Sequence, residues 1–79
     1  MEVFESESVI KYLTKRSITK QYRKAKQHIM AGNAKSVLLK PRQPKNSGIY
    51  QFRITRKYRA FAVKENNSLF VFEISDHQN

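Results

Sequence analysis

Seventy-nine residues, 16 lysines and arginines against six acids, and no cysteine bound what this chain can be. It is long enough for one domain over residues 1–79 with a small core, no disulfide or thiolate site can brace that core, and two histidines away from any ligand cluster argue against structural zinc, so neither metal nor cofactor is expected. No apolar run reaches the length of a membrane span and no signal-peptide pattern opens the chain, which makes a cytoplasmic protein without membrane association the expectation.

Taken in order, Val3 and Phe4 are candidates for an edge strand. Glu5-Ser6-Glu7-Ser8 supplies N-cap candidates, with acids suited to a helix N-terminus. A first helix is predicted over about 8–16, with Val9, Ile10 and Leu13 inward. Ser17 or Thr19 can cap a second helix, in which Ile18, Tyr22, Ala25 and Ile29 fall on one stripe at helical spacing. Lys20, Arg23, Lys24 and Lys26 take its outer side, and Gly32 suits the left-handed residue that ends such a helix. Residues 36–39 read as a short strand or extended arm. Residues 40–47 read as a loop, because Pro41 and Pro44 oppose both helix and ladder.

From Gly48 onward come three aromatic, β-branched runs divided by polar breaks, the pattern of an antiparallel meander. Closing the first hairpin at Thr55 opposite Tyr58, and the second at Lys64 opposite Leu69, puts Phe52, Phe61 and Phe72 in one row. Tyr50, Val63 and Phe70, then Ile54, Arg59 and Ile74, make the rows beside it. This is the expected core face. The other face would carry Gln51, Arg53 and Thr55, then Tyr58, Ala60 and Ala62, then Val71, Glu73, Ser75 and His77. Two alanines between larger polar groups suggest a shallow trough, the candidate site. The fold class is therefore α+β, an N-terminal helical hairpin packed on a small antiparallel sheet.

The net charge of +10 is segregated. Every lysine and arginine lies between Lys11 and Lys64, a span without a single acid. Solvated helices ordinarily mix signs, so a polyanionic partner (nucleic acid, an acidic protein, or both) is favoured over a plain soluble surface.

The ordered set Leu39-Lys40, Gly48-Ile49-Tyr50-Gln51-Phe52-Arg53-Ile54, Tyr58-Arg59 and Phe72-Glu73-Ile74-Ser75-Asp76-His77 resembles the RelE/ParE superfamily of bacterial toxins. The family pattern is a glycine followed by Tyr-x-x-Arg-hydrophobic, a Tyr-Arg-hydrophobic strand, and an apolar strand ending in His-Arg or Lys-Arg. Departures stand at Thr55-Arg56-Lys57, where glycine is usual, and at Gln78, where the family has arginine; the usual C-terminal aromatic has no counterpart. Such a member is a weaker enzyme, one of altered chemistry, or a binder without cleavage.

The resemblance implies an endoribonuclease that cleaves mRNA on the ribosome and so inhibits translation, through attack of a ribose 2′-hydroxyl on the adjacent phosphate. Arg53 would stabilise the charge that develops; its other reading is a cross-strand ion pair with Glu73. His77 would move protons, or is an exposed tail residue, with Asp76 beside it to modulate it or to cap the strand. Lys40, Arg42, Lys45, Arg56 and Lys57 would meet RNA phosphates, or are solvated charge, and Tyr58 would stack on a base or pack on the sheet. Arg59 reads as structural, on the core face, and His28 as a surface residue. Partners implied are mRNA, the ribosome and an acidic antitoxin, with the free protein monomeric. The alternatives are a ParE-like inhibitor of DNA gyrase without nuclease activity, and a degenerate RNA- or ribosome-binding module.

Overall fold

The computed structural model describes residues 1–76. Strand β1 (Glu2–Glu5) leads into helices α1 (Glu7–Lys15) and α2 (Thr19–Met30). A 3-10 turn (Ala34–Val37), the two-residue strand β2 (Lys40–Pro41) and a second 3-10 turn (Lys45–Ser47) follow. Strands β3 (Ile49–Arg53), β4 (Tyr58–Glu65) and β5 (Ser68–Asp76) complete the order. The five strands form one sheet in the order β1-β5-β4-β3-β2. The neighbours β2–β3, β3–β4 and β4–β5 are antiparallel, whereas β1 lies parallel to β5. The α+β class holds, and Val3 and Phe4 lie in an edge strand as expected; the chain therefore opens on that strand ahead of the two helices, and its parallel pairing with β5 makes the sheet mixed rather than antiparallel. Alternation explains the edge: Val3 is buried among the helices, while Phe4 points outward and stacks on Phe70 with ring centroids 5.3 Å apart.

Both helices lie on one face because their apolar stripes have nowhere else to go. Val9 and Leu13 of α1 are buried, as are Ile18, Tyr22, Ala25 and Ile29 along α2. Each large side chain so buried contributes about 1.5–3 kcal/mol relative to exposure. Ile10, expected inward, is exposed. Ser6 caps α1 by accepting from Val9 N–H at 3.2 Å. Neither Ser17 nor Thr19 caps α2; Ile18 holds that position without a side-chain bond, and Ser17 takes a left-handed conformation. At the other end Gly32 is left-handed. Its N–H donates to Ile29 O and that of Asn33 to His28 O, the paired bonds that close a helix ending in glycine.

The first hairpin departs from the expected register by one residue. Phe52 faces Ala60 and Arg53 faces Arg59. The cause is Thr55, whose Oγ1 accepts from both Lys57 N–H and Tyr58 N–H while its own N–H and that of Ile54 donate to Tyr58 O. That side-chain bonding makes a longer turn than a direct Thr55–Tyr58 closure. A slip of one flips every side chain of β4. Tyr58, Ala60 and Ala62 therefore join Phe52 in the core, and Arg59, Phe61 and Val63 turn to the open face.

The second hairpin closes with Lys64 opposite Leu69, as expected, yet the flip of β4 carries Leu69 and Val71 inward and leaves Phe70 and Phe72 exposed. A bulge then shifts the pairing from Ala62–Val71 to Phe61–Glu73, so Phe72 is the extra residue and Ile74 returns to the core.

Residues 36–39 form no strand: Ser36 and Val37 belong to the 3-10 turn and Leu38 is left-handed. The predicted loop contains β2, which pairs Lys40 with Gln51 and Pro41 with Tyr50. Proline is tolerated there because β2 is an edge.

Candidate functional site

The expected alanine-floored trough does not exist, because Ala60 and Ala62 are wholly buried beneath the helices. The open face of the sheet is built instead from the side chains that the slip turned outward. One row runs Lys40, Gln51, Phe61, Glu73, and the next runs Arg53, Arg59, Ser75.

At the β2–β3 side these rows enclose a cleft of about 270 Å³ lined by Lys40, Gln51, Arg53, Arg56 and Arg59, with Leu38 and Phe52. Four cations and no acid line it. Arg53 and Arg59 are directly opposed across the β3–β4 pair, an arrangement in which like charges destabilise a sheet. No acid pairs with either among the described residues, whose ion pairs are Lys11–Glu7, Lys26–Glu5 and Lys57–Asp76. In particular Glu73 is exposed opposite Phe61 and makes no ion pair with Arg53. Two arginines at opposed positions of one cleft, with no acid partner among the described residues, offer many N–H donors to one anion, and planar donors suit phosphate oxygens.

The remaining sequence candidates sort by position. Arg42 covers the open face from the loop, its guanidinium 4.2 Å above the Phe61 ring, which explains how an outward phenylalanine stays largely buried. Lys57, next to Arg56 in the turn but absent from the cleft lining, pairs with Asp76 at 3.7 Å and lies 5.5 Å from the Tyr58 ring. Tyr58 is not available to stack on a base: it is buried, edge-on to Tyr12 at 6.3 Å. Arg59, expected on the core face with a structural role, lies on the open face beside Arg53. His77 and Gln78 lie outside the described residues, as does the side chain of Lys45.

Sequence reading missed Leu38, which the left-handed turn places on the cleft wall. It also missed a second hollow of about 410 Å³ between α2, the first 3-10 turn and the end of β3, which shares Arg53 with the first. Among the described residues no helix is long and apolar enough to cross a membrane.

Away from the cleft, Tyr22 donates to Glu5 Oε1 at 2.8 Å, and Lys26 Nζ lies 3.1 and 3.2 Å from the two Glu5 oxygens. This ties α2 to the end of β1. Burial first, then the hydrogen bond to and the charge of Glu5, push the Tyr22 phenol well above the ordinary tyrosine range.

No protein-family model matches the chain, and no curated protein does. Solved structures do. A YoeB dimer from Staphylococcus aureus supplies a chain that superposes with a TM-score of 0.70 at 15% identity, covering 99% of this chain and 98% of its own. A YoeB/ParE toxin from Agrobacterium tumefaciens superposes with a TM-score of 0.59 at 15% identity, covering 99% of this chain and all of its own. The likeness is one of fold over the whole length, and the fold is the one that the RelE/ParE resemblance implies.

Proposed function

We propose that this chain is the toxin of a toxin–antitoxin pair and cleaves mRNA on the ribosome, with the Lys40–Arg53–Arg56–Arg59 cleft as its phosphate site. The observation that carries the reading is the uncompensated Arg53–Arg59 pair on the open face. Juxtaposed like charges cost stability in the free protein, and a bound phosphate turns that cost into attraction.

In the reaction a ribose 2′-oxygen forms a bond to the adjacent phosphorus while the bond from phosphorus to the 5′-oxygen breaks. The 2′-hydroxyl proton leaves to a base, and the departing 5′-oxygen takes up a proton. The products are a 2′,3′-cyclic phosphate and a 5′-hydroxyl end. Arg53 and Arg59 meet the non-bridging oxygens, where negative charge grows on the way to the five-coordinate transition state. Lys40 and Arg56 hold the neighbouring backbone. Proton transfer falls to His77, by its resemblance to the family's terminal histidine. Arg59 thus takes a catalytic role in place of the structural one its sequence context suggested.

The wider basic surface suits ribosomal RNA and, in the inactive pair, an acidic antitoxin laid over the same cleft. Translation with and without the protein, followed by mapping of 5′ ends on the message, tests the activity: new ends that depend on the protein are expected. Intact message would overturn the nuclease reading. A supercoiling assay with DNA gyrase then decides whether a ParE-like activity replaces it.

A further inference from the structure

The hollow beside the cationic cleft has a different chemistry. Its mouth carries Gln21, Lys24 and His28 from α2 and Ser36 from the 3-10 turn, and Arg53 forms the wall shared with the cleft. Buried Val37 and half-buried Ile54 supply apolar surface inside. The volume of about 410 Å³ falls in the range of about 300–1,000 Å³ typical of small-ligand sites. No acid lines it.

Two of the polar groups, Gln21 and Ser36, are neutral hydrogen-bonders rather than phosphate clamps. The Gln21 amide both donates and accepts, and so does the Ser36 hydroxyl. Asn33 Nδ2 lies 3.4 Å from His28 Nδ1. An amide nitrogen only donates, so in this contact Nδ1 is the acceptor. Apolar surface with a few donors and acceptors of both kinds is how an unstacked base is held and read. A carboxylate from a protein partner would leave the acceptors of Gln21 and Ser36 unused.

We infer that this hollow receives one nucleobase of the RNA strand whose phosphate lies on Arg53, and that Gln21, His28 and Ser36 set a base preference. Lys24 takes the phosphate that follows. The inference rests on the RNA reading above and adds to it a specificity site on α2, on the helix side of the shared arginine.

The test is fluorescence anisotropy of the full chain with labelled, non-cleavable 2′-fluoro hexamers of A, C and U across a salt series. The wild type is expected to favour one of the three. A Gln21→Ala, His28→Ala double variant should lose about tenfold on the favoured hexamer, the scale of one base-reading contact pair. It should bind all three nearly alike, with an unchanged salt slope because Lys24 and Arg53 remain. Ser36→Tyr, at an exposed position on the rim, should fill the hollow and give the same levelling without touching half-buried His28. Equal binding of the three hexamers by the wild type, or a preference that survives in both variants, overturns the base site. Salt-dependent binding in that case leaves the RNA reading standing. A wild type that binds none of the hexamers overturns both.

Discussion

Tyr22→Phe isolates one bond in the link between α2 and β1. The substitution deletes the hydroxyl that donates to Glu5 Oε1 at 2.8 Å and leaves ring packing, including the tilted contact with Phe52 at 6.3 Å, in place. A hydrogen bond to a charged group contributes about 1.5–3 kcal/mol. The Glu5 side chain is 21% exposed and keeps Lys26, so water and the ammonium recover part, and the expected loss is about 1–2 kcal/mol. For a domain of this size that lowers Tm by about 4–16 °C, readable by circular dichroism.

The phenol adds a pH signature with a definite sign. Its pKa is raised in the folded protein. The unfolded chain therefore loses this proton first, near pH 10, and wild-type stability falls above that pH by up to about 1.4 kcal/mol per unit. The variant lacks this contribution, so the stability gap between the two proteins should close as pH rises from 10. An unchanged Tm at neutral pH, or a gap that stays constant above pH 10, would refute the assigned bond.

Ala62→Leu, at a wholly buried position, should cost about 1–3 kcal/mol by overpacking, whereas Val63→Leu on the exposed face should change urea stability little; the reverse order would restore the alanine-floored trough. Arg56→Ala should reduce the slope of log affinity for RNA against log salt by roughly one unit. Lys57→Ala, already tied to Asp76 outside the cleft, should change it much less, and equal effects would remove the distinction between these two neighbouring cations.

The helical half of the chain was legible because its signals are local. The stripe Ile18, Tyr22, Ala25, Ile29 depends only on helical spacing, and the ending at Gly32 only on a left-handed residue after the last turn. Sheet faces depend on register, and register here depends on one side chain. Thr55 accepting two N–H bonds lengthens the turn by a residue, and no alternation pattern in β4 warned of it, since Tyr58, Ala60 and Ala62 fit a core as well as Arg59, Phe61 and Val63 nearly do. The bulge at Phe72 then cancels the flip from Ile74 onward, and Ile74 returns to the expected core face. Arg53 lies on the open face in either register, because the phase of β3 is the same in both, whereas Arg59 changes face with β4. The Glu5–Tyr22–Lys26 link joins residues 17 and 21 positions apart, beyond any local pattern.

In the proposed site Arg53 and Arg59 grip one phosphate. Single-turnover cleavage of message on ribosomes by wild type, Arg53→Ala, Arg59→Ala and the double variant tests it most directly. Both positions carry exposed or half-exposed side chains, so all four proteins should fold. Each single change should slow cleavage by at least about a hundredfold, the scale of one lost transition-state donor. The double change should add far less than a second hundredfold, since the two residues act as a unit. Full activity in either single variant, or losses that multiply as independent ones do, would contradict the shared phosphate site.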